Sequence, residues 1–149
     1  MKTLKLSLVV ALLAVAFSCS KKKDPMPTFD ITSATQRLMK VNGCQNGNSL
    51  FEISLFYTSS RDLNRYYVDL SVDYLFANGQ SGNYRDNTAQ WDGRKLTVQS
   101  CTGFGNNTYI DLTINALLFE QDVEGNKVGN AIAMANPVTV RLLRPSGSN

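Results

Sequence analysis

Apolar and polar side chains alternate along most of the chain beyond residue 28, and this period of two predicts β-strands. In the run YYVDLSVDYLF at 66–76, the aromatic and aliphatic residues at even positions share one face, while Asp69 and Asp73 lie on the other. The same alternation occurs at 51–57 and at 110–118. It is typical of antiparallel sheets that place one face on a core and the other in water.

Turn signals divide these runs into separate strands. Asn78-Gly79 and Asp92-Gly93 are favoured hairpin dipeptides, and the charged segment 120–130 predicts another hairpin loop. The polar segment 79–91 predicts an edge strand or an irregular loop. Pro137 indicates an edge position or a strand start, because it donates no ladder hydrogen bond. The returning segment is expected to align its apolar residues inward: Ile132, Met134, Val138, Val140 and Leu142.

About seven strands, with no helix and no internal repeat, predict an all-β domain of two antiparallel sheets packed face to face. The two runs joined by a turn at 104–143 resemble the closing hairpin of an immunoglobulin-like domain. The separation of Cys44 and Cys101 is also similar to that of the inter-sheet disulfide of that fold. The resemblance implies an immunoglobulin-like antiparallel β-sandwich. No tryptophan closely follows Cys44, however, and Gln99 replaces the tyrosine of the fold, so a jelly roll or a small barrel stays open.

The first residues predict export from the cytoplasm. Residues 6–17 are apolar apart from Ser7, a run that suits a signal peptide and is shorter than the roughly 20 residues of a membrane span. The sequence SCSKKKDP at 18–25 resembles the lipobox of bacterial lipoproteins, particularly those of the Bacteroidota. The resemblance implies lipid attachment at Cys19, although Ala16 and Phe17 depart from the usual box. An ordinary secretory signal cleaved near Ser18 or Ser20, with no role for Cys19, is the alternative.

These boundaries give a signal peptide at 1–18, a lipidated tether at 19–27 and a β-sandwich domain at 28–145. The resemblance implies an outer-membrane location, on the cell surface or on the periplasmic face, with the membrane as a partner through the lipid on Cys19. The lysines at 21–23 can rest against anionic head groups. Pro25 and Pro27 are expected to keep the tether extended.

The net charge of +3 misrepresents the folded part of the chain. Of the 15 basic residues, five precede residue 28, and of the 12 acidic residues only Asp24 does, which leaves 10 basic and 11 acidic residues. A domain of this charge lacks the basic surface that neutralises phosphates, so no nucleic-acid partner is expected.

The chain contains no histidine. This excludes serine–histidine and cysteine–histidine catalysis and any zinc site that depends on histidine. If Cys19 carries lipid, Cys44 and Cys101 remain as an even pair, which predicts a disulfide in an oxidising compartment. Closing a loop of about 58 residues would stabilise the fold by roughly 4 kcal/mol. The alternative is two buried free thiols.

Few other residues suggest chemistry. Asp69 and Asp73 would lie about 13 Å apart on one strand, beyond the roughly 5–10 Å of a glycosidase pair, although Asp111 could approach one of them. We interpret them as part of a solvated polar face. The DVEGN segment at 122–126 lacks the spacing of an EF-hand and is interpreted as a hairpin tip. No metal or cofactor site is predicted.

Aromatic residues near loops leave one binding hypothesis open. Tyr84 and Trp91 could stack on sugar rings, or they could cover the edge of the core, as Tyr and Trp often do. The favoured hypothesis is a non-enzymatic lipoprotein that acts as an interaction or accessory module through an unknown protein partner. The alternative is a carbohydrate-binding module that uses these loop aromatics.

Overall fold

The computed structural model describes residues 25–147, so the predicted signal peptide, Cys19 and most of the tether lie outside the described residues. Within that range the chain forms nine strands and one short 3₁₀ turn at Gln45–Gly47, and no α-helix. The strands are β1 (Phe29–Lys40), β2 (Ser49–Ser59), β3 (Tyr66–Phe76), β4 (Ser81–Asp86), β5 (Gln90–Asp92), β6 (Lys95–Thr102), β7 (Tyr109–Gln121), β8 (Lys127–Met134) and β9 (Val138–Leu143).

The strands form two antiparallel sheets, which confirms the predicted all-β class and sandwich. One sheet has the order β1-β2-β6-β5, and the other has the order β4-β3-β7-β8, with β9 also paired to β7. Strands β8 and β9 lie end to end along one edge of β7, since β8 pairs with its second half and β9 with its first. The longest ladder joins β3 to β7, whose hydrophobic alternation is also the clearest in the sequence.

Two segments explain why the described chain has nine strands where the sequence predicts about seven. The polar segment 79–91 forms two strands, β4 and β5, which belong to different sheets. The returning segment is interrupted at Pro137, a position before a strand start, as predicted. The backbone N–H of Ala135 donates to the carbonyl oxygen of Ala116, and Val138 pairs with Ile114. The returning segment therefore has one more residue than β7 between these two contacts, which forms a bulge.

The bulge changes which side chains face inward. Met134 was expected to point into the core, but it is 68% exposed, while its neighbour Ala135 is 1% exposed. This prediction was wrong because the extra residue reverses the alternation between β8 and β9. Beyond the bulge, Val140 and Leu142 are buried as expected.

The core lies between the two sheets and is made by the predicted inward faces. It buries one row from each long strand: Phe51, Ile53 and Leu55; Val68, Leu70 and Val72; Leu96 and Val98; Ile110, Leu112, Ile114, Ala116 and Leu118. Two residues of the first strand, Phe29 and Ile31, complete it near the N-terminus. The pairing of β1 with β2 shifts register at two places, between Ile31 and Ser33 and between Leu38 and Lys40.

The two ends of the sandwich carry different segments. We call the end where residues 25–28 enter the tether end; it also carries the loops at 60–65, 93–94 and 122–126. We call the opposite end the far end; it carries the loops at 41–48, 77–80 and 103–108. The chain also leaves the last strand at the far end, because β9 finishes beside the start of β7.

Candidate functional site

Trp91 covers the core at the tether end. Its indole Nε1 donates a hydrogen bond to the carbonyl oxygen of Tyr66 at 3.0 Å, which links the short strand β5 to the opposite sheet. Its ring packs edge-on against Tyr57, with centroids 5.2 Å apart, and against Phe29 at 6.1 Å. The side chain is half-buried, and its polar atom is already satisfied within the protein.

Tyr84 lies in a different part of the molecule. It pairs across the sheet with Val72, six positions along β3 from Tyr66, and six positions of strand span about 20 Å. Its ring is 37% exposed and lies 6.4 Å from the ring of Tyr74. Trp91 and Tyr84 therefore do not form a common stacking surface.

A cleft opens beside Tyr84, between the edge strand β4 of one sheet and the end of β6 in the other. Its volume is about 330 Å³, and it occupies the half of the sandwich nearest the far end. The cleft arises because β4 and β6 lie on the open side of the sandwich, where the two sheets do not pair. The residues that line it are Tyr74, Phe76, Tyr84, Asp86, Gln99, Ser100, Cys101, Thr102, Gly103, Ile110 and Leu112.

One wall of the cleft is aromatic. The Tyr74 ring lies between two others along β3 and β4, 5.5 Å from Phe76 and 6.4 Å from Tyr84. Tyr74 faces Gly82 across the ladder, and a Cβ atom at Gly82 would overlap the Tyr74 hydroxyl. Glycine at this position therefore lets the tyrosine ring lie across the edge strand.

The other wall is polar. The hydroxyls of Ser100 and Thr102 lie 3.2 Å apart on the inward face of β6. At the mouth, Asp86 accepts hydrogen bonds from the backbone N–H and the hydroxyl of Thr88, both at 2.7 Å. Among the described residues that line the cleft, Asp86 is the single charged side chain.

The phenol of Tyr84 connects the two walls. Burial raises the pKa of Tyr84 above its ordinary value, and hydrogen bonding with Ser100 partly offsets that rise. A tyrosine phenol is neutral at physiological pH, and the raised pKa of Tyr84 favours that neutral form further, so the phenol can both donate and accept hydrogen bonds.

A disulfide joins Cys44 and Cys101, as predicted, with their Cα atoms 5.9 Å apart. Cys101 pairs across the ladder with Leu50 of β2, so both cysteines belong to the same side of the sandwich. The bridge therefore pins the loop at 41–48 to β6 and does not cross the core. Since β6 forms the polar wall, the bridge also holds one side of the cleft.

The candidate carboxylates do not converge. The Asp69 side chain is only 7% exposed and lies 3.0 Å from Nζ of Lys127 and 3.7 Å from Arg85. The prediction that Asp69 belongs to a solvated face was therefore wrong. Asp111 pairs with Arg141 at 2.7 Å instead of approaching Asp69.

The turn at 122–126 uses its acidic residues for its own backbone. Asp122 accepts hydrogen bonds from the N–H groups of Glu124 and Asn126 at 3.0 and 2.8 Å. These hydrogen bonds lower the pKa of Asp122, and the bond from the backbone of Asn126 has the largest effect. Across residues 25–147, no group of three or more acidic, cysteine or histidine side chains is placed to hold a metal ion.

Comparisons with known proteins give no family or homologue. No protein-family model, no curated protein and no solved structure matches the chain. In the described part of the chain, no helix has the length and apolar character needed to span a bilayer.

Sequence analysis missed most of the cleft. Tyr74 and Phe76 were expected to face inward, and they do, but the open side of the sandwich leaves them half-buried. A tyrosine that faces a glycine across a hairpin is the signal that could have indicated this arrangement, because the glycine leaves room for the ring. Ser100 and Thr102 carry no such signal.

Proposed function

We propose that the protein is a non-enzymatic lipoprotein of the bacterial outer membrane, in which one β-sandwich acts as an interaction module. The observation that carries this proposal is the opposition of the two ends. The tether enters at one end, whereas the disulfide-pinned loop and the cleft lie towards the other. A module anchored at Cys19 would therefore present its binding features away from the bilayer.

The junction between tether and domain supports this arrangement. Pro27 is buried, and the N–H of Thr28 donates to the Ser60 hydroxyl at 2.9 Å, so the fold begins at these residues. Six residue steps separate Cys19 from Pro25, which reach at most about 20 Å when extended. The tether end would therefore stay close to the head groups, where the lysines at 21–23 can contact anionic lipids.

The strand order supports an immunoglobulin-like topology. Immunoglobulin sheets have the orders A-B-E-D and C′-C-F-G. The orders β1-β2-β6-β5 and β4-β3-β7-β8 match these two sheets when the strands are lettered along the chain. The domain departs from antibody domains because its disulfide stays on one sheet, and because its tryptophan lies on β5.

A non-enzymatic role is supported by the distribution of reactive groups. The chain has no histidine, and the carboxylates of Asp69 and Asp111 are each engaged by a cation. The features that remain are suited to binding: a cleft and a covalently fixed loop, on a domain that we propose to be tethered to the membrane.

The anchor is tested by expressing the full chain in a bacterium that processes lipoproteins and labelling the cells with an alkyne analogue of palmitate. We expect label on the wild type and its recovery in the outer-membrane fraction. Cys19→Ala should lose the label, while the matched variant C44S/C101S should keep it. Label that persists in Cys19→Ala, or that is missing from C44S/C101S although the protein itself is present, contradicts the proposal. Protease treatment of intact cells then distinguishes the cell surface from the periplasmic face.

The alternative function, carbohydrate binding, is favoured by one observation. Although Trp91 and Tyr84 lie apart, Tyr84 takes part in a cleft with other aromatic residues and with hydroxyl groups. A sugar-binding module would therefore use this cleft in place of the predicted pair.

A further inference from the structure

We propose that the cleft between β4 and the end of β6 binds one ring of an uncharged pyranose sugar. This inference gives the proposed interaction module a ligand class. It rests on the proposed function for its setting in the envelope, whereas the chemistry of the cleft stands independently of the anchor.

The aromatic wall matches the apolar face of a sugar ring. A pyranose presents C–H groups on one face and hydroxyl groups around its edge. The Tyr74 ring contacts the rings of Phe76 and Tyr84, and all three residues line the cleft. Tyrosine suits this use because its ring is apolar while its hydroxyl still forms hydrogen bonds.

The polar wall matches the hydroxyl edge of the same ring. Ser100 and Thr102 each offer a hydroxyl that can donate and accept. Asp86 is an acceptor at the mouth, where a carboxylate can take hydrogen bonds from two neighbouring hydroxyls. Small-molecule sites commonly combine mostly apolar walls with a few such polar groups.

The charge of the cleft selects an uncharged ligand. In the described lining, no lysine or arginine could pair with a phosphate, sulfate or carboxylate, and Asp86 would repel such a group. A cationic ligand is also a poor match. A cage for an ammonium needs rings that surround it, whereas these rings pack against one another at 5.5 and 6.4 Å.

The size of the cleft limits how much of a glycan can enter. Its 330 Å³ lies near the lower end of ligand pockets, which range from about 300 to 1,000 Å³. The cleft also opens along a sandwich edge. We therefore expect it to hold a terminal or branching ring of a polysaccharide, with the rest of the glycan outside.

Binding is tested on the purified full chain by calorimetry and by saturation-transfer NMR. The detergent should be a polyoxyethylene, because a glycoside detergent would compete for the site. The probes are neutral oligosaccharides of glucose, galactose, mannose, xylose and N-acetylglucosamine, with galacturonate as an anionic comparison and choline as a cationic one. We expect at least one neutral probe to bind, with ring protons receiving the strongest saturation.

Variants locate the binding to the cleft. We expect Tyr84→Ala to weaken binding by at least about tenfold and Ser100→Ala by about threefold or more, the effect of losing one contact. Tyr84→Phe keeps the ring and should bind within about threefold of the wild type. Tyr109→Ala, which removes a tyrosine outside the cleft, is the matched control and should bind unchanged. Trp91 fluorescence confirms that each variant is folded.

Three results would overturn the inference: no neutral probe binds, binding is unaffected by both Tyr84→Ala and Ser100→Ala, or choline or galacturonate binds more tightly than every neutral sugar. The Cys19→Ala variant distinguishes a failure of the sugar-binding inference from a failure of the proposed lipid anchor. It should bind sugar like the wild type, so a loss of anchoring and a loss of sugar binding are independent outcomes.

Discussion

The ammonium of Lys127 lies 3.0 Å from the Asp69 carboxylate and 4.5 Å from the centroid of the Phe119 ring. This contact covers the outer face of the β3–β7 ladder, where Asp69 is almost fully buried. The lysine is held by a charge on one side and by an aromatic face on the other. The Lys127 side chain therefore shields this end of the outer face of the sheet from water.

The two partners of this contact should respond differently to removal. Lys127→Met keeps the aliphatic chain over the ring but leaves a buried carboxylate short of its closest cation, and should lower the free energy of unfolding by about 1–3 kcal/mol. Asp69→Asn should lower the free energy of unfolding by less than Lys127→Met does, because the Lys127 side chain is 38% exposed and its ammonium can be solvated by water. Urea unfolding measures both, with exposed Asp73→Asn as a control near zero. Equal costs for the two variants would contradict this account.

Removing the disulfide should destabilise the sandwich without changing its strand pairing. The double variant C44S/C101S frees the loop at 41–48 from β6, and the expected loss is roughly 4 kcal/mol on the chain-entropy model. Denaturant midpoints measure the loss, and backbone amide exchange checks that β2 and β6 stay paired. A variant as stable as the wild type would show that the bridge adds nothing to the fold.

Gly82 and Tyr74 should be energetically coupled. Gly82→Ala forces the Tyr74 ring away from β4, whereas the same substitution in a Tyr74→Leu background meets a shorter side chain. A double-mutant cycle should give a coupling of about 0.5–3 kcal/mol. A coupling near zero would indicate that the ring does not lie across the glycine. Gly79→Ala is a poor control, because Gly79 has φ +87 and alanine would be strained there.

Acid should weaken the contact between Asp111 and Arg141. Hydrogen bonding from Arg141 lowers the pKa of Asp111, so the ionised form is favoured in the folded state. Its contribution is present above the unfolded pKa, about 3.9, and is lost as pH falls through the lower folded value. Arg141→Gln should therefore be less stable than the wild type at pH 7, with a difference that shrinks under acid. Arg94→Gln, which removes the same charge elsewhere, should show no such convergence.

The long strands were predictable because their burial follows local alternation. Val68, Leu70 and Val72 face the core as the pattern of β3 predicted, and Ile110, Leu112 and Ile114 face it from β7. Periodicity carries this information because one face of each strand meets the opposite sheet. The disulfide was predictable on a different ground. Two cysteines remain in the domain, and an even pair in an oxidising compartment predicts a bridge.

The candidate site was less predictable, because it depends on where the two sheets fail to meet. Tyr84 was identified as a candidate, but its neighbours come from β3, β6 and β7, far apart in sequence. The burial of Asp69 also depends on Lys127, 58 positions away. Single-strand patterns do not contain such partners, and the phase change at Met134 required a bulge that alternation alone does not reveal.

The placement of the two ends of the folded domain has a mechanical consequence. The chain enters beside the start of β1 and leaves past the end of β9, at opposite ends of the sandwich. Tension applied between residues 25 and 147 would therefore run parallel to the strands, dragging β1 lengthwise against β2 and β9 lengthwise against β7. Many interstrand hydrogen bonds would share that pull at once instead of opening one after another.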